Sequence, residues 1–398
     1  MPRRLAVAST FLGSSRNFLY DGQLSWSDAL PRDAWVGTGE LKSGRCLDTL
    51  LRLEGASLPL PPAPHLAAMG TLLSGSAAPV PWRHVLPKDV FRSFFNNVVG
   101  VLSAHYSDLS YDYAETAWAA GGRVLSALRP AKVDPARWGE LSAAGLPNAE
   151  GFRPNRSGYA AVPTYDRFGT RTGRMTITDG PNILLLKREA RDVVRSSFPD
   201  GRVCSLDFRA LEPRLVLAEA GISSDAADLY GDIAAEVLGG RVSRDAVKTA
   251  VIAELYGVSR SVLRSRLGVP DDVLDSFIGG IRRHFGIEQL RARLKSEITG
   301  GRIRNRCGRP VSVPENRDDL LVNSYAQSSG VDVALQGFDE VLRRLGTDGV
   351  RPLFVLHDAL ILDVRADRLD DVAAVDRVEV SSYDKPFPLK FEHLDAKV

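Results

Sequence analysis

The sequence predicts an α+β fold that is mainly helical. Three observations carry this. Helical periodicity runs, with breaks, from about Asp89 to Leu141, and helical patterns dominate again from Asp225 to about Thr299. A short strand-like run, VCSLDF at 203–208, opens into a helical pattern from Glu212 to Ala220. Near the end, LFVLHDALILDV at 353–364 reads as two apolar strands with His-Asp at the bend, a β-hairpin pattern.

Taken in order, residues 1–55 alternate short apolar runs with Gly, Ser and Asp and read as a few strands and turns. Residues 56–82 are rich in Pro, Ala, Gly and Ser and read as a linker or irregular surface segment. Val90, Phe91, Phe94, Phe95, Val98, Val99 and Leu102 then line one helical face. Another loop-rich stretch, 144–182, carries many basic residues and glycines. No internal repeat is seen.

At 398 residues the chain can bury a large core and divides naturally into two or three domains. Hydrophobic residues at 44% and charged residues at 25% are ordinary for a globular protein. No apolar run approaches the roughly 20 residues needed to span a bilayer, and the start lacks the apolar region of a signal peptide. No membrane partner is expected. Cys46, Cys204 and Cys307 stand far apart, which suits a reducing cytoplasm and offers neither a zinc site nor a disulfide framework. The formal net charge is only +2, but the distribution is uneven. From Arg153 to Arg195 nine Lys/Arg face four acids, and from Arg282 to Arg309 nine face two. Such stretches can grip phosphates, although either one alone reads more simply as a solvated helix face.

Two acids stand out for their apolar surroundings. Asp207 ends a strand and Asp358 sits in the bend of the hydrophobic hairpin. Such carboxylates are costly unless something positive meets them. Brought together they would repel, and Mg²⁺ is a natural remedy, because it takes a few carboxylates and completes its shell with water and phosphate oxygens. Either Asp alone reads more simply as a turn or cap residue. On the helix around Lys248, the positions of Arg244, Lys248, Ile252 and Tyr256 fall along one face. Two cations and an aromatic ring on one stripe could hold a triphosphate and stack near a base. Alone, that stripe is equally a surface helix with snorkelled side chains.

Together and in order, these features resemble family A DNA polymerases, the bacterial DNA polymerase I type. SLDFRALEPRLVLAEAG (205–221) is similar to the first motif of that family, whose usual core is DYSQIELR. Arg244, Lys248, Tyr256 and Gly257 reproduce the second, R-x(3)-K-x(7)-YG. LHDALIL (356–362) resembles the third, commonly VHDE followed by apolar residues. TRTGR (170–174) resembles the TxTGR element, and NSYAQSSGVDVAL (323–335) the N-x(3)-QGTAAD segment. The five elements span roughly residues 165–395.

The resemblance implies template-directed DNA synthesis: addition of deoxynucleotides to a primer 3′ end by two-metal-ion phosphoryl transfer. Asp207 and Asp358 would hold two Mg²⁺ ions, helped by the backbone carbonyl of Phe208, with Mn²⁺ an admissible substitute. Arg244 and Lys248 match residues contacting the triphosphate, Lys248 also with a catalytic part. Tyr256 matches the ring at the base of the nucleotide site, and Ile252 the position packing against the incoming sugar and base. Glu212 matches the steric gate against a ribose 2′-hydroxyl. Arg174 and Gln327 match residues touching the primer–template minor groove, and His357 one near the primer end. Expected partners are primer–template DNA, dNTPs and replication accessory proteins, with the chain a cytoplasmic monomer, in the host cytoplasm if phage-encoded.

The implied architecture is a right-hand polymerase: a palm with a small antiparallel sheet, helical fingers and a helical thumb. Its expected parts are an accessory region at 1–84, a thumb-like helical region at 85–150, palm at 151–222, fingers at 223–305 and palm again at 306–398. Residues 1–84 are too few for a complete proofreading exonuclease and hold no convincing quartet of exonuclease carboxylates, so no proofreading is expected. The sequence departs from the family pattern at several places. Ile252 replaces an aromatic, Ala253 a Gly, Ala234 a His, and Ala359 the acid that often follows the catalytic Asp; Pro213 directly follows the gate. These departures put nucleotide affinity, fidelity and analogue discrimination in doubt more than activity. A single-subunit RNA polymerase shares the Arg/Lys/Tyr-Gly helix and the His-Asp hairpin, but usually has a small residue at the gate. A silent DNA-binding scaffold would have no need of the retained acids and cations, and a hydrolase would lack a general base beyond His357.

Overall fold

A computed structural model describes residues 3–38, 45–74, 80–222, 224, 226–237, 242–268 and 270–394. The chain divides into two compact units, Met1–Glu115 and Thr116–Val398. No helix among the described residues is long and apolar enough to cross a membrane.

The first unit is a four-stranded sheet with helices. Strands β1 (Leu5–Val7), β2 (Asn17–Tyr20), β3 (Leu24–Ser27) and β4 (Trp35–Gly37) lie in the order β3–β2–β1–β4. Only the β1–β4 pair is parallel. Helix α1 (Leu47–Leu53) follows, then α2 (Ala63–Leu72) and α3 (Lys88–His105). The segment expected to be irregular at 56–82 thus contains a ten-residue helix, with proline in its first turn, where the missing N–H costs nothing. It buries no residue, so it has no apolar stripe that could mark it in the sequence. Helix α3 has such a stripe and buries Phe94, Val98 and Leu102 at spacings of four against the sheet residues Leu5, Val7 and Phe18. Each buried side chain of this size contributes roughly 1.5–3 kcal/mol.

The second unit holds α4 (Ala119–Ala127), α5 (Pro135–Ala143), strand β5 (Arg202–Phe208) and α6 (Leu211–Glu219). Helices α7 (Arg244–Leu255), α8 (Arg260–Leu267), α9 (Asp271–His284) and α10 (Ile287–Ser296) come next. After α11 (Leu321–Leu345), strands β6 (Val350–Leu356), β7 (Ala359–Val364), β8 (Arg377–Val378) and β9 (Phe387–His393) close the chain. The sheet order is β6–β7–β5–β9–β8 with every neighbouring pair antiparallel.

Alternation along β5 divides the core. Cys204, Leu206 and Phe208 face one hydrophobic cluster with Val333, Phe338 and Val341 of α11, while Val203 joins another with Phe354 and Ile361. Helix α11 has 25 residues, about 37 Å at 1.5 Å per residue, and most of its length is buried. Its glycines allow close approach: a Cβ on Gly337 would stand 2.6 Å from the Phe208 ring, and one on Gly330 3.3 Å from Glu212 Cγ. Helices α7, α9 and α10 pack Val247, Val251, Phe277, Ile281 and Leu290 into a third cluster that reaches Tyr325 on α11.

Candidate active site

The two singled-out aspartates meet because β5 and β7 are neighbours. Asp207 lies opposite Ala359 in the register, so Asp358 occupies the bend one residue beyond. The Phe208 N–H donates to the Asp358 carbonyl at 3.1 Å and closes this corner. The hairpin turns in two residues, with His357 at φ 56, a left-handed backbone that costs a non-glycine residue of order 1 kcal/mol or more. Burial pushes the Asp207 carboxyl up from its ordinary 3.8 to about 7, and the Asp358 and Glu392 charges push the same way. Lys390 and Arg209 pull against them. Asp358 is also raised, chiefly by burial and further by Glu212. His357 is lowered by burial and by the Arg174 charge, which keeps its imidazole neutral near pH 7.

After β5 the chain reverses through Ala210, which takes a left-handed conformation (φ 52, ψ 51) before α6. This puts Glu212 in the first helical turn, where a carboxylate suits the helix dipole, and Pro213 where a proline is tolerated. Glu212 accepts hydrogen bonds from Arg174 Nη2 at 3.0 Å and from the Tyr256 hydroxyl. Arg174 Nη2 also reaches Tyr256 Oη at 2.8 Å, with its guanidinium 5.7 Å from the ring centroid. Residues 38 and 44 positions away in sequence thus close a triad with Glu212. Burial, then Glu212, holds the Tyr256 hydroxyl well above its ordinary range, so it remains a proton donor.

Behind Arg174, the 170–174 turn rests on a buried ion pair. Gly173 at φ +77 has no room for a Cβ, which would lie 2.1 Å from the Arg309 guanidinium. Arg309 pairs with Asp332 at 3.3 Å, and Asn305 Nδ2 donates to Asp332 at 2.7 Å. Thr172 donates to Gln327 Oε1 at 3.2 Å, tying this turn to α11.

These walls enclose a cleft of about 370 Å³ lined by Arg174, Glu212, Ile252, Tyr256, Gln327, His357 and Asp358, with Tyr230 and Leu255 among the rest. Seven of the candidate residues therefore share one cavity. Arg244 and Lys248 do not line it; both are exposed on α7, and Arg244 is held by Asp228 at 2.7 Å. Asp207 and Phe208 also lie outside the lining, at the strand end beside Asp358. Sequence reading passed over Tyr230, whose hydroxyl burial and the Glu212 charge push up to about 12. It also passed over Lys390 and Glu392, which β9 brings beside β5; Lys390 is directly opposite Asp207 and forms an ion pair with Glu392. Their alternation in FPLKFEH was the available signal.

The corner brings together two half-buried carboxylates whose pKa values are raised, with Lys390 opposite Asp207 as the neighbouring cation. That pair of carboxylates suits a hard divalent cation such as Mg²⁺. Among the described residues no group of three or more His, Cys, Asp or Glu side chains forms a metal cage, so further ligands would have to come from substrate or water.

The fold defined by this sheet and these helices is that of a nucleic-acid polymerase domain. It matches the POL domain of Pol1 from M. smegmatis, solved with DNA primer–template and dNTP, with a TM-score of 0.52 at 13% identity, covering 98% of this chain and 94% of that one. In sequence the chain is similar to DNA polymerase I of the family A type. It is 28% identical over 247 residues to DNA polymerase I of Deinococcus radiodurans, 53% of this chain and 25% of the relative. It is 23% identical over 257 residues to the thermostable DNA polymerase I of Thermus thermophilus, 56% and 30% of each. Against DNA polymerase I of Chloroflexus aurantiacus the figures are 24% over 254 residues, 55% and 26%. The matched stretch therefore spans less than a third of the length of these relatives. No family model matches the chain.

Proposed function

We propose that this protein is a DNA-directed DNA polymerase that extends a primer 3′ end with deoxynucleotides. The observation that carries this is the corner where Asp207 and Asp358 meet on adjacent strands, at the edge of a cleft walled by Arg174, Glu212 and Tyr256. Similarity to DNA polymerase I relatives over the same region supports it.

In this reading 151–222 and 306–398 are the palm, 223–305 the fingers and 85–150 the thumb-like region. Asp207, Asp358 and the Phe208 carbonyl would hold two Mg²⁺ ions, which supply charge neutralisation at the reacting phosphate and a more acidic primer hydroxyl. The protein's own part is positioning, which can account for much of such a barrier. Arg244 and Lys248 receive the triphosphate from the exposed face of α7. Tyr256, locked by Glu212 and Arg174, floors the nucleotide site beside Ile252. Glu212, fixed at the start of α6 by two donors, excludes a 2′-hydroxyl. Gln327 and Arg174 contact the primer–template, and neutral His357 positions the primer end without acting as a base.

No proofreading is part of this reading. Its support is the shortness of residues 1–84 and the lack of a convincing quartet of exonuclease carboxylates among them. Replication accessory proteins, a monomeric state and a cytoplasmic location complete it.

The test is extension of a labelled DNA primer on a DNA template with Mg²⁺ and dNTPs, comparing wild type with Asp358→Ala. Templated extension by wild type that the variant loses supports the proposal. Primer–template binding without extension by the wild type overturns it.

A further inference from the structure

The first unit carries a cleft that the polymerase reading does not use. It has a volume of about 710 Å³ and lies between the β3 edge of the sheet and the first turns of α3. Two kinds of side chain line it. Three aromatic rings form a ladder: Phe91 and Phe95 are 6.4 Å apart at 16°, and Phe95 and Trp26 are 5.6 Å apart at 15°. The Trp26 end of the ladder is open, with 41% of that residue exposed.

Around the ladder stand Arg16, Arg83, Lys88 and Arg92, all exposed. Arg16 is paired with Asp28 at 2.9 Å and donates to the Trp26 carbonyl at 3.2 Å. Arg83, Lys88 and Arg92 make no hydrogen bond or ion pair among the described residues. Asp89 is the neighbouring acid on α3 and lies off the Lys88–Phe91–Arg92–Phe95 face, which repeats at three and four residues. Trp26 also packs edge-on against buried Phe18 at 5.4 Å, yet it stays 41% exposed beside three cations that have no acidic partner among the described residues. Like charges held close together weaken a fold slightly, and an exposed indole forgoes burial.

We propose that this cleft binds single-stranded polynucleotide, its bases stacking along Trp26 and the phenylalanines and its phosphates meeting Arg83, Lys88 and Arg92. Near-parallel rings with one open face suit unpaired bases, because every base has a π-face, and the cations supply the sequence-independent grip. A duplex would offer the phosphates but keep its bases stacked on each other, so the ladder would go unused. The site belongs to the first unit alone and does not depend on the catalytic reading.

The test uses the full chain and fluorescence anisotropy with labelled oligothymidylate, oligouridylate and a blunt hairpin duplex. Three cations lost in Arg83→Ala/Lys88→Ala/Arg92→Ala should weaken single-strand binding at least tenfold and flatten the salt slope by about two. The loss for the blunt duplex should be several-fold smaller. Trp26→Ala alone should weaken single-strand binding about tenfold, as expected for one lost base stack, and should barely alter the salt slope. A stronger effect on oligothymidylate than on oligouridylate identifies DNA as the natural strand; the reverse identifies RNA. Equal losses for single strand and duplex, or a Trp26→Ala variant that is folded by circular dichroism and binds like wild type, overturn the proposal.

Discussion

Replacing Asp207 by asparagine should make the cation-free protein more stable while removing the proposed polymerase activity. The carboxyl titrates near 7 in the fold against an ordinary 3.8. Because folding raises this pKa, the native state keeps its proton to higher pH than the unfolded chain does. The ionised group therefore opposes folding, and stability falls as pH climbs from about 4 to about 7, then levels. At 1.36 kcal/mol per pH decade, the accumulated penalty is roughly 4 kcal/mol, a large share of an ordinary domain's stability. Asparagine has nearly the same shape and no charge, so the variant lacks this slope. Urea unfolding without divalent cations, at several pH values from 4 to 8.5, should show wild type and the Asp207→Asn variant converging near pH 4. They should separate by up to about 4 kcal/mol above pH 7. Millimolar Mg²⁺ should then narrow the gap by stabilising wild type more than the variant, since a ligand of the native state adds RT ln(1 + [L]/Kd). A constant difference across pH, or a variant less stable than wild type at pH 8, would refute the buried-charge account.

Three further outcomes are expected. Glu212→Ala removes the acceptor shared by Arg174 and Tyr256 together with the bulk at the proposed sugar site; ribonucleotide incorporation relative to deoxynucleotide should rise tenfold or more, about 1.4 kcal/mol of lost exclusion, in single-nucleotide extension. Ile252→Phe gives the cleft a ring where a branched aliphatic now stands, and an added aromatic contact of about 0.5–1.5 kcal/mol should lower the apparent KM for dNTP by two- to tenfold; an unchanged KM would count against stacking at this position. His357→Gly relieves the left-handed backbone that His357→Ala retains, so the Gly variant should be about 1 kcal/mol the more stable of the two in urea, whatever the effect of either on extension.

Much of this was legible because the chemistry sits on short, regular units. The apolar strand VCSLDF and the hairpin around His357-Asp358 announce their acids by contrast with their neighbours, and the structure pairs those strands directly. The stripe of Arg244, Lys248, Ile252 and Tyr256 was legible as helix but not as cavity. The helix ends at Leu255, so its axis carries Ile252 and Tyr256 into the cleft while its first turn, with Arg244 paired to Asp228, stays outside. Helix α2 was missed because it buries nothing and so leaves no period in the sequence.

What local pattern could not supply is the set of charges brought in from distant strands. Ala359 follows Asp358 with no carboxylate of its own, yet Asp207 feels a third acid, Glu392, contributed by β9 on the other side of β5. The same strand sets Lys390 directly opposite Asp207 and pairs it with Glu392. The corner is thus balanced across three strands: burial and two acids oppose ionisation of Asp207, while a lysine and Arg209 favour it. A carboxylate whose pKa comes to rest near 7 can give up its proton to a cation at little cost at physiological pH, whereas one left wholly to burial would hold it. The register of β9 against β5, a pairing between residues some 180 positions apart in sequence, therefore tunes the acid that strand composition alone only locates.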